Sequence, residues 1–167
     1  MRETALVLVV PEAEPYVREW RARHDPSAAQ GMPAHITLIY PFAPLESFDA
    51  GPLIALFASQ PGLDLSFART ARFPDTLWLA PEPKQPLVAL ISALAAAYPA
   101  HPPYGGEFAD IAPHLTVAQG EESVLERIAQ TLKGVRFTAR IGEASLFAKS
   151  DARWRRIRNF ALAGKTP

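Results

Sequence analysis

The sequence predicts an α+β fold: two similar lobes with antiparallel sheets and outer helices, related by a pseudo-two-fold axis, with a central cleft. Three observations lead there. Strand-like and helix-like segments run through nearly the same order twice along the chain. Each round contains one apolar strand headed by a histidine with a threonine two places on, "HITLIYPF" (35–42) and "HLTVAQ" (114–119). Prolines, 17 in 167 residues, exceed the usual share of about 5% and sit mainly between periodic segments as punctuation.

The first round opens with "TALVLVV" (4–10), a short apolar run that reads as a buried strand. Pro15 at a first helical turn starts "PYVREWRARH", with Val17 and Trp20 on one face. "HITLIYPF" is a strand, and "PLIALFAS" (52–59) a helix, again with proline at its start. "LDLSFAR" (63–69) alternates Leu63, Leu65 and Phe67 with polar or small residues, the period of a strand.

The second round begins with the strand "TLWLA" (76–80). The helix "PLVALISALAAAY" (86–98) follows, with Leu87, Ile91, Leu94 and Tyr98 on one stripe. After the strand "HLTVAQ" comes the helix "EESVLERIAQTLK" (121–133), acidic in its first turn and ending in Lys133. "VRFTARI" (135–141) alternates, and two more strands are expected near 143–149 and 154–163. Outside the histidine strands the rounds share pattern rather than identity. Residues 1–167 are therefore expected to form one two-lobed domain, with the lobe junction near 70–75.

Composition narrows the function classes. Basic and acidic residues balance at 17 each, whereas a protein gripping long nucleic acid usually carries a basic excess. A small or terminal phosphate-bearing substrate suits this chain better. With no cysteine, disulfides, thiolate nucleophiles and cysteine-based zinc sites are excluded. "ALVLVV" is too short for a signal-peptide core, and no run approaches the roughly 20 apolar residues of a membrane span. A cytoplasmic location is expected.

The histidine strands carry the chemistry. On a strand, residues i and i+2 point to the same face, so His35 shares a face with Thr37, and His114 with Thr116. Ile36, Leu38 and Tyr40 then point to the other side, as do Leu115 and Val117. The apolar sets belong against core and helices, which leaves the His/Thr sets facing a cleft. Imidazole titrates near neutrality, so one ring can accept a proton while another donates one. A threonine hydroxyl can donate to a phosphoryl oxygen and stabilise charge there. In-line phosphoryl transfer needs a base at the attacking oxygen, an acid at the leaving oxygen and donors to the non-bridging oxygens. Two His-x-Thr units supply all of these without a cofactor.

"PAHITLIYPF" and "PHLTVA", each leading a strand in one of two α+β lobes, resemble the two-histidine (2H) phosphoesterase superfamily, in particular its bacterial 2′-5′ RNA ligase and cyclic phosphodiesterase branch. The resemblance spans most of the chain in element order and rests on few specific residues. It implies metal-independent hydrolysis of 2′,3′-cyclic phosphate RNA ends or nucleotides, or the reversible 2′-5′ joining that shares this chemistry. It makes His35 and His114 the acid–base pair and Thr37 and Thr116 the phosphate-binding residues.

Other candidates are weaker. Tyr104, in a Pro/Gly-rich loop before His114, and Phe42, at the end of the first histidine strand, are candidate base-stacking contacts, against an alternative of simple packing. "RWRRIRNF" (153–160) is a candidate phosphate-binding edge, with Arg153 and Lys149 nearest the turn; a solvated strand face is the rival reading. Arg72 is a further candidate at the lobe junction. His24 at a helix end and His101 between loop residues need no functional explanation. The partners expected are RNA ends or small cyclic-phosphate nucleotides, with no membrane and no obligate protein partner, and the chain acting as a monomer. Two rival functions stand beside the leading one: a phosphate- or RNA-end-binding module without turnover, and a metallohydrolase built on His35, His114 and Asp110.

Overall fold

A computed structural model describes residues 3–102 and 111–163. Among these residues, eight strands and five α-helices follow in the order β1 (Glu3–Val9), α1 (Glu14–His24), α2 (Pro26–Ala29), β2 (His35–Ile39), α3 (Gly51–Ser59), β3 (Leu63–Phe73), β4 (Thr76–Glu82), α4 (Gln85–Ala97), β5 (Leu115–Gln119), α5 (Glu122–Leu132), β6 (Phe137–Ile141), β7 (Glu143–Ser150) and β8 (Arg153–Ala161). Local sequence explains the helix starts. Prolines stand in the first turns of α1 to α4, where the missing N–H costs nothing. Asp25 caps α2, its carboxylate accepting from the Ser27 backbone N–H at 3.0 Å.

The strands form one sheet in the order β6-β3-β4-β5-β2-β1-β7-β8, every neighbouring pair antiparallel. It divides into two four-stranded lobes, β2-β1-β7-β8 and β5-β4-β3-β6, that meet through the single pair Ile36–Leu115. About this seam the histidine strands occupy equivalent positions, β2 in one lobe and β5 in the other. Residues 70–75 form the turn end of the β3–β4 hairpin, wholly within the second lobe. The first lobe is completed from the far end of the chain, since β1 pairs with β7 on one side and with β2 on the other.

The main core lies between the sheet and its helices. Ile36, Leu38, Leu115 and Val117 from the histidine strands pack there with Leu87, Ile91 and Leu94 of α4 and Leu125 and Ile128 of α5. These strand residues are at most 1% exposed. At about 25 cal/mol per Å² of apolar surface, the parity of each strand is fixed by this burial, and a slip of one residue would turn it inside out. A smaller cluster on the opposite face holds Ala5, Val7, Met32, Phe147 and Trp154. That second face carries the polar groups described next.

Candidate active site

His35 and Thr37 of β2, and His114 and Thr116 at the start of β5, are half-buried and lie on the face away from the main core. Antiparallel pairing at Ile36–Leu115 sets the flanking residues crosswise, His35 beside Thr116 and Thr37 beside His114. The histidines are then diagonal neighbours, which on a regular ladder lie about 7–8 Å apart at the backbone.

Both rings are oriented in the same way. His35 Nδ1 lies 2.8 Å from the carbonyl oxygen of Pro33, and His114 Nδ1 lies 2.7 Å from that of Ala112. A carbonyl only accepts, so each Nδ1 carries the proton when the ring is neutral, and each Nε2 is left with a lone pair. Burial pushes the His35 pKa down to about 4; the Pro33 hydrogen bond opposes this, and the nearby charges of Arg21 and His114 add to it. Burial also lowers His114, against the bond to Ala112. At neutral pH both imidazoles are therefore neutral in the free protein.

The surroundings differ between the lobes. The His114 ring lies 5.0 Å from that of Phe73 and 5.6 Å from that of Trp78, centre to centre. His35 sits above a buried charge cluster. Arg21 and Asp25, 3% and 5% exposed, pair at 3.1 Å, and Arg21 Nη2 donates to the Met32 carbonyl at 2.9 Å. Glu14 accepts from the Ala34 backbone N–H at 2.7 Å. Residues 32–34, which deliver His35 into β2, are thus pinned at both ends by side chains of α1. A cavity of about 420 Å³ opens over this half, lined among others by His35, Thr37, Thr116, Asp25, Tyr40, Lys149 and Trp154. At its rim the Tyr40 hydroxyl donates to Glu3, which lifts the phenol to about 12. Lys149 Nζ lies 4.0 Å from Glu3 and 5.7 Å from the Trp154 ring centre.

The other sequence candidates fall as follows. Lys149 lines the cavity. Arg153 is exposed at the start of β8, outside the lining. Phe42 does not reach the cavity: it is 5% exposed and packs on Phe48, Tyr98 and His101. Arg72 is tied to Glu122 and Glu126 of α5. Tyr104 and Asp110 lie outside the described residues. Tyr40 corrects the expected parity of its strand. It is 40% exposed on the cavity side, because a register shift between Leu6 and Val7 breaks the β1–β2 alternation and β2 ends at Ile39.

Arg21, Asp25, Trp78 and Trp154 escaped the sequence reading. The only local signal was Asp25 ahead of Pro26-Ser27, a helix start. The partners that bury Arg21, above all the Met32 carbonyl, become neighbours only on folding.

Residues 9–154 match the profile of the 2′-5′ RNA ligase superfamily. The chain belongs to that family. The solved structures agree with this in fold. Escherichia coli LigT complexed with 3′-AMP superimposes with a TM-score of 0.69 at 24% identity, covering 96% of this chain and 98% of LigT. E. coli LigT in apo form gives 0.65 at 22% identity, over 97% and 98%. The protein TT0787 of Thermus thermophilus gives 0.62 at 16% identity, over 99% and 100%. A search among curated proteins found no match. In this member of the 2′-5′ RNA ligase superfamily, no helix among the described residues is long and apolar enough to cross a membrane, and no three potential metal-ligating side chains among the described residues converge on one point.

Proposed function

We propose that this chain is a metal-independent phosphoesterase that opens 2′,3′-cyclic phosphates on RNA ends or nucleotides, with water as the nucleophile in hydrolysis and an RNA 5′-hydroxyl in its place in 2′-5′ joining. The observation that carries this reading is the crossed quartet at the seam, with each histidine tied through Nδ1 to the carbonyl two residues before it. Nε2 is then the proton-transfer atom on both rings, and the threonine hydroxyls are the donors to the phosphoryl oxygens. E. coli LigT has been solved with 3′-AMP, NADP+ and ATP, which supports a phosphate-bearing nucleotide as the ligand class.

In the forward direction the non-bridging oxygens accept from Thr37 and Thr116 Oγ–H. One neutral imidazole takes a proton through Nε2 from water as the water oxygen forms its bond to phosphorus. The bond from phosphorus to one ribose oxygen breaks, and the other ring, entering as imidazolium, gives its Nε2 proton to that oxygen. The product is a ribose monophosphate with a free neighbouring hydroxyl. Burial disfavours the imidazolium, so the anionic phosphate between the rings supplies the field that charges one of them. In 2′-5′ joining an RNA 5′-hydroxyl takes the place of water and the ribose 3′-oxygen leaves; in the cleavage that reverses it the two histidines exchange roles. Both come from one chain, so a single copy holds the whole pair.

The test is incubation with a panel of 2′,3′-cyclic nucleotides and oligonucleotides in the presence of a chelator. Turnover is expected to persist. His35→Ala or His114→Ala is expected to lower kcat by about 10²–10⁴, and Thr37→Ala or Thr116→Ala by about 10–10³, with the fold intact by circular dichroism. A histidine variant that cleaves at the parental rate sinks the mechanism. Activity lost to the chelator and restored by zinc or manganese establishes the metallohydrolase instead.

A further inference from the structure

The two histidines have different neighbours. Arg21 and Glu14 bracket the segment that leads into His35, whereas His114 meets two aromatic rings. Phe73 lies 5.0 Å away with its plane at 86° to the imidazole, and Trp78 lies 5.6 Å away at 57°. Those two rings also pack on each other, 5.1 Å apart, so they form a corner in which the imidazole sits. The Nδ1 contact with the Ala112 carbonyl fixes one atom of the imidazole and leaves its plane free to rock. Close packing against the corner removes that freedom.

Trp78 is set by the sheet, where it pairs with Thr116. Phe73 is the last residue of β3, paired with Thr76 across the turn at 74–75, and turn ends open more readily than the middle of a ladder. What holds this end lies on the other side of the sheet. Successive residues of a strand point to opposite faces. Arg72 pairs with the fully buried Leu77, so Arg72 emerges on the helix side and Phe73 on the cleft side. Arg72 Nη1 donates to Glu122 and Nη2 to Glu126, carboxylates one turn apart on α5. Glu126 also accepts from Gln130 Nε2 at 2.9 Å. A guanidinium fork that spans two acceptors sets direction as well as distance. The turn has a further tie, since the Asp75 carbonyl accepts from the Gly120 N–H at 3.0 Å. Both glutamates are more than half exposed, and exposed ion pairs add little to overall stability. The consequence of this one is positional: it fixes the end of β3, and the next side chain lies against His114.

We propose that Phe73 is a positioning residue for the His114 ring, and that Arg72 sets Phe73 from across the sheet by anchoring the hairpin tip to α5. The effect on turnover rests on the function proposed above; the placement rests on the three rings and the fork. Each lobe then aims its histidine with an arginine–carboxylate contact, buried on α1 in the first and exposed on α5 in the second.

The experiment measures kcat and KM on a 2′,3′-cyclic mononucleotide for the parent, Phe73→Ala, Arg72→Met and the double variant, with folding checked by circular dichroism. The control is Arg140→Gln, which removes an exposed ion pair to Asp64 at the far end of β3. Misplacement of a reacting group by about 1 Å can cost on the order of 100-fold, so Phe73→Ala is expected to lower kcat at least tenfold and Arg72→Met at least threefold, each with KM within twofold. If Arg72 acts through Phe73, its loss costs nothing further once Phe73 is alanine. Arg140→Gln is expected to match the parent. Arg72→Met at the parental kcat, an equal loss from Arg72→Met with and without Phe73, or an equal loss in Arg140→Gln would overturn the proposal. If no cyclic nucleotide is turned over, the catalytic reading fails separately, and titration of the His114 ring by NMR decides the placement. Burial lowers that ring from 6.5, so Phe73→Ala and Arg72→Met are expected to raise it and Arg140→Gln to leave it. No movement in Arg72→Met, or the same movement in Arg140→Gln, overturns the placement.

Discussion

Each catalytic candidate ring has its Nδ1 tied to the carbonyl two residues before it, so the same nitrogen, Nε2, is presented from both lobes. Burial holds both rings below the ordinary histidine value of 6.5, His35 at about 4. An acid–base pair needs one ring charged and one neutral, and the charged one becomes scarce as pH rises past its own lowered value. The optimum of kcat/KM is therefore expected on the acid side of pH 6.5, read from a pH–rate profile with cyclic mononucleotide. Stability has its own sign. Between pH 6.5 and about 4 the unfolded chain binds a proton at residue 35 that the folded protein refuses, so this burial destabilises the fold progressively as pH falls through that window. At its limit this is about 3 kcal/mol, and urea midpoints at pH 4 and pH 7 are expected to lie closer together in His35→Asn than in the parent. The identities and shared face of His35, Thr37, His114 and Thr116 were legible because strand parity is a local property. Which ring nitrogen is tied to the backbone was not, since that depends on carbonyls placed by the turns before each strand.

At the scale of elements, α1 does more than cover the sheet. Its Arg21 and Glu14 hold the Met32 carbonyl and the Ala34 amide, which brackets the segment that aims His35. Arg21→Met leaves the Asp25 carboxylate buried without its partner, and the expected cost is about 3–5 kcal/mol by urea unfolding. Below the unfolding transition, the same variant is expected to lose kcat on cyclic mononucleotide while KM changes little, since Thr37 and Thr116, the proposed phosphate donors, are untouched. Helix and strand periodicities made α1, α4, α5 and the histidine strands readable. They offered nothing for Arg21, because a charged residue on a short helix reads as solvent-facing until a distant backbone acceptor is known. Tyr40 was misjudged for a related reason: alternation predicts its face only while the ladder is regular, and the register shift in β1–β2 ends that regularity.

Over the whole molecule, the two lobes touch across the sheet through one residue pair, Ile36–Leu115, and both side chains are fully buried. The separation of the histidines hangs on that contact. Leu115→Ala is expected to cost about 2–5 kcal/mol and to lower kcat/KM beyond the loss of folded protein, measured by activity per folded molecule well below the unfolding transition. The two-lobed α+β plan was visible in the repeated order of elements. The ownership of the strands was not, because pairing β1 with β7 joins residues far apart in sequence and leaves no local trace. Leu6 meets Leu146, so during synthesis at about 5–20 residues per second the apolar segment "ALVLVV" emerges many seconds before β7 exists to cover it. For that interval one flank of the nascent hairpin offers open backbone donors and acceptors, a natural target for a holding chaperone and the point at which a crowded cell would first see this chain aggregate.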